Sequence, residues 1–346
     1  MWLKLKNSYR SACCVALLLG LTPWPATAQE VVVFGGLDDV TGWLKAENWW
    51  GEEKHSEQLR VPYAMITGIS PRWRETAQHL PVAEKKELFY RFMLPLVMHA
   101  NVMVLERRAR LTHMADRIAA GQKLQTSDLE WLRAAVVLLR ITNTDTAAAL
   151  GSSADELRDV ITQALYRLDV IPAGLVLGQA AYESGYGTSR FAAEGNALFG
   201  QWTYGGKGLV PEQQRSNLGD HRIAAYDWPF DSVRGYFLNL SSHPAYEDFR
   251  RLRAELKAAN KPVTSMALAD GLIRYSERGQ AYVDTLKGIM RVNKLNIADD
   301  AVFRDEPMRF IVSADGDAAA ATLRKEIETL RQSGELTRII SRMRLE

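Results

Sequence analysis

The sequence is short of reactive and coordinating side chains. It has two cysteines, Cys13 and Cys14, adjacent and close to the start, so a disulfide framework is excluded. Its six histidines (His55, His79, His99, His113, His221, His243) never fall at metal-ligand spacing, and the His-x-x-x-His helix pattern is absent. No Gly-x-Ser-x-Gly elbow occurs. Gly205-Gly206-Lys207-Gly208 lacks the Walker pattern and a preceding strand, so it reads as a turn. Charge of one sign is also missing. The 43 Lys and Arg stand against 41 Asp and Glu, for a net +2, whereas a nucleic-acid binder would carry a basic excess. No uninterrupted apolar run reaches the roughly 20 residues of a membrane span; the longest, Phe92 to Leu105, contains Pro95, His99 and Asn101. What is present is a 47% hydrophobic share of 346 residues, enough to core one large domain or two modest ones.

Residues 1–28 read as an export signal. Lys4, Lys6 and Arg10 precede ten apolar residues, Ala12 to Leu21, and Ala26-Thr27-Ala28 supplies a small-x-small cleavage site before Gln29. The alternatives are a short membrane anchor, for which the apolar run is too brief, and a lipoprotein, for which Cys13 precedes the apolar stretch instead of following it. Cleavage removes three basic and no acidic residues, leaving 40 against 41 and a net charge of −1. Both cysteines leave too, so a cysteine-free chain enters a compartment where disulfides could form. The expected location is the periplasm or cell envelope.

Residues 29–81 look irregular, with Gly35-Gly36, Trp49-Trp50-Gly51, Ser70-Pro71 and Leu80-Pro81, and are expected to lie as an arm over the body. From Val82 the pattern turns helical: Phe89, Phe92, Met93, Leu96, Ala100 and Met103 recur at steps of three and four, with a kink expected at Pro95. Further helices are expected over Ser127 to Ile141, from the Ser153–Glu156 capping box to about Asp169, and from Pro172, which suits a first helical position. Gly195 to Tyr226 is Gly-rich with short aromatic and apolar runs, compatible with a few short strands or an ordered loop lobe. Helices resume at Asp231, Tyr246, Ser265 and about Tyr282, and an amphipathic helix ends the chain over Ala318 to Met343, interrupted at Ser333-Gly334.

Glu183 is the only charged residue among the seventeen from Ile171 to Gly187. A helix begun at Pro172 puts it on the apolar face of Val176, Gln179 and Ala180. Gly185 and Gly187 stop the helix, which leaves Glu183 in the last turn, where the macrodipole is negative. Desolvation and dipole both raise its pKa, as general-acid cleavage of a glycosidic bond requires. The competing reading is a glutamate that serves its own fold, with Arg190 as its partner.

The stretch Ala180-Ala181-Tyr182-Glu183-Ser184-Gly185-Tyr186-Gly187-Thr188-Ser189, followed by Asn196-Ala197-Leu198-Phe199-Gly200, resembles the two-part signature of the bacterial β-N-acetylglucosaminidases of glycoside hydrolase family 73, which include flagellar peptidoglycan hydrolases. The resemblance is clear over 171–295, weaker back to Val82, and absent before Pro81 and after Phe303. It implies a mainly α (α+β) fold, with a lysozyme-like helical domain and a small β-lobe over the catalytic helix. The implied organisation is a signal peptide over 1–28, the arm over 29–81, a glucosaminidase domain over 82–303 with its core at 171–295, and a C-terminal helical extension over 304–346.

By the same resemblance Glu183 is the general acid. Its partner would be a lobe glutamate, for which Glu212 is the nearest match among Glu194, Glu212, Asp220 and Asp227; the substrate's acetamido group is the alternative. Tyr246, in Ser242-His243-Pro244-Ala245-Tyr246, resembles an asparagine-proline-x-tyrosine element whose tyrosine approaches the reacting sugar, with His243 replacing asparagine. Ser184, Tyr186, Asn196, Trp202 and Tyr204 are the candidate substrate contacts: Ser184 and Asn196 also suit ties within the turn and lobe, the aromatics also suit core packing, and Phe199 is expected in the core. The implied activity is hydrolysis of β-1,4 bonds in peptidoglycan glycan strands, without a metal or cofactor, a nucleic-acid partner, or an integral membrane span in the mature chain. A lytic transglycosylase-like lyase and a non-catalytic wall-binding protein are the alternatives. No protein partner is legible.

Overall fold

The computed structural model describes residues 30–49, 58–70, 72–151, 153–203, 208–210 and 222–343. The expected signal segment, Tyr204, Glu212 and Asp220 lie outside these residues.

The segment expected to be irregular contains regular elements. Strand β1 (Glu30–Phe34) is a run of β-branched residues ending in Phe, suited to a buried strand. Helix α1 (Leu37–Ala46), short strands β2 (Arg60–Val61) and β3 (Ala64–Ile66), and helix α2 (Trp73–His79) follow. At the other end of the chain come β7 (Val302–Phe303) and β8 (Arg309–Ser313). Strand β8 is the centre of a three-stranded parallel sheet, flanked by β1 and β3, with Val31 opposite Phe310 and Ala64 opposite Arg309. Strands β2 and β7 form a second parallel pair. The missing signal was long-range pairing: β1 and β3 find their partner only near the far end of the sequence, and Gly and Pro between short strands resemble loop punctuation. Leu44, Trp49, Val61 and Met65 join the main hydrophobic core, so the segment is packed into the body and not merely laid over it.

The body is helical. Helix α3 (Val82–Ala119) runs 38 residues with Pro95 buried inside it. By length and composition it could cross a membrane, but 72% of its most apolar window is buried within the protein. Helices α4 (Thr126–Leu138), α5 (Thr144–Ala149) and α6 (Ala154–Arg167) follow. The Ser153 side chain caps α6 by accepting from the Glu156 amide, as the capping box implies. Helix α7 (Ala173–Ser184) carries Glu183 and packs against α3. Pro172 is its N-cap and not its first residue, so the helix starts one position later than expected.

A short helix α8 (Arg190–Gly195) leads into a three-stranded antiparallel sheet of β4 (Trp202–Thr203), β6 (Arg222–Ala224) and β5 (Gly208–Leu209), with β6 central. This is the expected lobe. Helices α9 (Pro229–Ser242), α10 (Glu247–Ala258), α11 (Ser265–Leu268) and α12 (Gln280–Val292) follow, of which α11 and α12 pack against α7, and α13 (Asp317–Gln332) and α14 (Glu335–Met343) come after β8. The architecture is mainly α with small sheets, consistent with a lysozyme-like α+β fold.

Candidate active site

Helix α7 is buried from Ala173 to Ala181. Two glycines permit this. A Cβ on Gly174 would lie 2.4 Å from the Leu295 carbonyl oxygen, and one on Gly178 would lie 3.0 Å from Met290 of α12. Close approach on that side pins the far end of α7, where Gly185 adopts the left-handed conformation (φ 59°) and stops the helix. The Ser184 hydroxyl donates to the Ala180 carbonyl and accepts from the Gly187 amide at 2.8 Å. With 0% exposure, Ser184 is committed to holding this turn. Tyr186, at φ 60°, packs edge-on against Phe89 and Tyr90 of α3.

Glu183 is half-buried. Its Oε1 accepts a hydrogen bond from the Tyr282 hydroxyl at 2.8 Å. No Lys, Arg or His among the described residues forms an ion pair with it; Arg190 instead pairs with Glu194 at 3.2 Å. Burial therefore raises the Glu183 pKa, and the Tyr282 hydrogen bond opposes this only in part. The protonated form, the one a general acid needs, is thereby favoured relative to an exposed glutamate.

Tyr282 is a link in a chain. Its oxygen accepts from Gln179 Nε2 at 2.8 Å, and Gln179 Oε1 accepts from the Tyr236 hydroxyl. Gln179 and Tyr236 are both fully buried, and with both ends of its amide satisfied Gln179 avoids the cost of an orphaned polar group. Tyr275 stacks on Tyr282, with ring centroids 5.5 Å apart and planes 7° off parallel, and donates to the Phe199 carbonyl. Tyr246 lies 5.8 Å from Tyr275, ring to ring. All four phenols titrate above their ordinary value, chiefly through burial, and the charge on Glu183 adds to the effect at each. They stay neutral, so the group that holds Glu183 and the three phenols near it bring no charge to the carboxyl. Among the described residues no cluster of His, Cys, Asp and Glu is placed to hold a metal ion.

The turn before α10 sets the position of Tyr246. His243 Nδ1 accepts from the Ala245 amide at 3.2 Å, so His243 caps this turn. Buried Arg250 ties it down through the carbonyls of Leu240 and His243 and through Glu247.

The lobe joins the helix at Asn196 and Gly200. Asn196 Oδ1 accepts from the Ile69 amide at 3.0 Å, and its Nδ2 donates to the carbonyls of Tyr226 and Asp227. Its amide thus has three backbone partners, which makes it a tie between arm and lobe. Gly200 has φ +61°, and a Cβ there would lie 4.0 Å from Glu183 Oε2, so the root of the lobe passes beside the second carboxylate oxygen. Two residues on, Trp202 is 52% exposed on β4. Phe199 is in the core, stacked on Tyr236 at 4.2 Å. Of the lobe carboxylates, Glu194 is paired with Arg190 and Asp227 is exposed.

Sequence reasoning missed the phenol ring and the Gln179 link. Gln179 was visible on the Glu183 face, but Tyr236, Tyr275 and Tyr282 stand 53 to 99 residues away, on other elements, without a local motif around them.

Residues 159–295 match the family described as "Glucosaminidase: Mannosyl-glycoprotein endo-beta-N-acetylglucosaminidase". Over 134 residues the chain is 37% identical to "Protein bax" of Escherichia coli (strain K12); the stretch covers 39% of this chain and 47% of that protein. The chain thus spans about half the length of the curated relative it matches. No solved structure matches. The resemblance read from the motifs is shown over this segment, which holds Glu183, Gln179 and all four tyrosines, and the match supports a glycosidase.

Proposed function

We propose that this protein is an exported endo-β-N-acetylglucosaminidase that hydrolyses β-1,4 bonds in peptidoglycan, with Glu183 as general acid. The observation carrying this reading is the state of Glu183: a carboxyl with its pKa raised by burial, no ion pair among the described residues, one oxygen held by Tyr282 and the other beside Gly200 at the root of the lobe. The glucosaminidase match over 159–295 supports the reaction class, and the leader-like residues 1–28 support export.

In the proposed mechanism a glycan strand lies between lobe and helix, with a ring against Trp202. The Glu183 carboxyl protonates the glycosidic oxygen as the bond to the leaving sugar breaks. The carboxylate left behind keeps the hydrogen bond from Tyr282, which strengthens as charge develops. An oxocarbenium-like centre forms, to be stabilised by Tyr246, by the neighbouring acetamido oxygen or by Glu212. Water then completes hydrolysis and returns a proton to Glu183.

The test is digestion of purified peptidoglycan by wild type and Glu183→Gln. Loss of the general acid is expected to slow release of reducing ends by about 10²- to 10⁴-fold; equal digestion by the two proteins overturns the assignment. Mass spectrometry of the products separates hydrolysis from lytic cleavage, since anhydro-sugar ends indicate a lyase. Wall binding with no release by wild type indicates a non-catalytic binder.

A further inference from the structure

Tyr236, Gln179, Tyr282 and Glu183 form one line of hydrogen bonds that runs from α9 through α7 to α12 and back to α7. Gln179 and Glu183 stand one helical turn apart on the same face, and Tyr282 bridges them. Gln179 and Tyr236 are both 0% exposed, so bulk water offers neither of them another partner.

The line has a direction. A neutral phenol owns one proton, and an amide is a donor at one end and an acceptor at the other. Tyr236 gives its proton to Gln179 Oε1, which turns the Gln179 NH₂ toward Tyr282. The Tyr282 oxygen accepts from that NH₂ and sends its own proton on to Glu183 Oε1. Turning the amide over would aim its NH₂ at Tyr236 and strand the buried Tyr236 proton without an acceptor, which folded proteins avoid. The neighbouring phenols stay outside the line: Tyr275 donates to the Phe199 carbonyl, and Tyr246 bonds Asn239.

This direction bears on where Glu183 keeps its proton. An oxygen that accepts a hydrogen bond serves a protonated carboxyl as its carbonyl oxygen, and the proton then belongs to the other one. Here the other one is Oε2, beside Gly200 at the root of the lobe. Among the described residues nothing hydrogen-bonds Oε2.

We propose that Tyr236 and Gln179 are positioning residues: by fixing Tyr282 as a donor to Oε1, they keep the Glu183 proton on Oε2. Both act through Tyr282. Without them Glu183 can donate from Oε1 to the Tyr282 oxygen instead, and its proton is turned away from the lobe. Use of the proton in glycan cleavage rests on the function proposed above; its placement on Oε2 does not.

The test titrates Glu183 in the full chain without glycan, by NMR of ¹³C-labelled glutamate carboxyls, with Glu183→Gln identifying the signal. Tyr282→Phe supplies the sign. A bond donated to the carboxylate favours the ionised form, so its loss should lower the acid dissociation constant of Glu183 about tenfold. Gln179→Met and Tyr236→Phe keep Tyr282 and should move the constant the same way, by about threefold or more. A rise in Tyr282→Phe means that Glu183 donates to Tyr282, and overturns the proposal. Unchanged constants in the folded Gln179 and Tyr236 variants also overturn it, since a merely structural role lowers the melting temperature and leaves the titration alone. If neither variant folds, wild type decides: nuclear Overhauser contacts from the Gln179 NH₂ to the Tyr282 ring support the direction, and contacts to the Tyr236 ring instead overturn it. In peptidoglycan digests kcat should then fall about tenfold in both variants with KM unchanged; an unchanged kcat overturns the use of the proton in cleavage. A wild type that digests nothing fails the function proposed above and leaves the placement of the proton to the titration.

Discussion

Replacing Tyr282 with Phe removes one oxygen and leaves the ring, and therefore the stack on Tyr275, in place. That oxygen has two jobs: it donates to Glu183 Oε1 at 2.8 Å and accepts from Gln179 Nε2 at 2.8 Å. On the Gln179 side, a fully buried N–H loses its acceptor, at a cost of about 1–3 kcal/mol. At about 2–4 °C per kcal/mol for a protein above 150 residues, the melting temperature should fall by roughly 2–12 °C. On the Glu183 side, a hydrogen bond to a charged group is worth about 1.5–3 kcal/mol. It counts most when the carboxylate forms, so kcat should drop roughly 10- to 150-fold. The pH profile gives the more discriminating reading. The Tyr282 bond holds the Glu183 pKa down, so its loss raises that pKa further. A general acid works while protonated, and activity is lost as pH rises through its pKa; the alkaline limb of kcat in Tyr282→Phe should therefore move to higher pH. Reducing-end release across a pH series, together with thermal melts of both proteins, measures all three effects. A variant that melts lower but keeps the wild-type kcat and alkaline limb would refute the assignment of Tyr282 to Glu183 and leave the tyrosine a packing residue.

Glu183→Gln should be more stable than wild type at neutral pH. The folded pKa of Glu183 lies above its unfolded value, so the folded protein bears a penalty for ionising it that grows as pH rises from the unfolded pKa through the folded one. The gain in melting temperature should be present at pH 7 and vanish near pH 4, where both states hold the proton; a gain independent of pH contradicts the burial argument. Asn196→Ala removes three hydrogen bonds to backbone partners and places alanine at φ 50°, which should cost about 2–4 kcal/mol in urea unfolding. Gly200→Ala introduces a Cβ at φ +61°, 4.0 Å from Glu183 Oε2; it should lower kcat several-fold with a stability loss of only about 1 kcal/mol. Trp202→Ala, at an exposed position, should raise KM for glycan roughly fivefold, with kcat unchanged, by loss of a stacking face worth about 1 kcal/mol.

The helical body was legible because its signals are local. The three-and-four spacing from Phe89 to Met103 marks the long central helix, and Ser153 with Glu156 marks the start of α6. Glu183 was legible for the same reason, since an isolated charge in seventeen residues is visible without knowing its neighbours. Ser184 and Asn196 were legible as motif residues suited to the turn and the lobe or to substrate; the partners they hold, among them the distant Ile69 amide, come only from the tertiary structure. The arm was misjudged because its strands are short and their partner, β8, lies some 240 to 280 residues further on.

The sequence by itself determined the placement of Glu183 in the last turn of an apolar helix, because helix periodicity and the glycine stop are set by residues within one or two turns of each other. Only the tertiary structure decided what surrounds that carboxyl. Tyr282 reaches it from α12, Tyr236 is linked to it from α9 through Gln179, and Tyr275 and Tyr246 pack beyond, while the two ends of the chain meet in one sheet behind its turn. Desolvation and hydrogen bonding depend on distance in space, and packing brings those groups together irrespective of their separation along the chain.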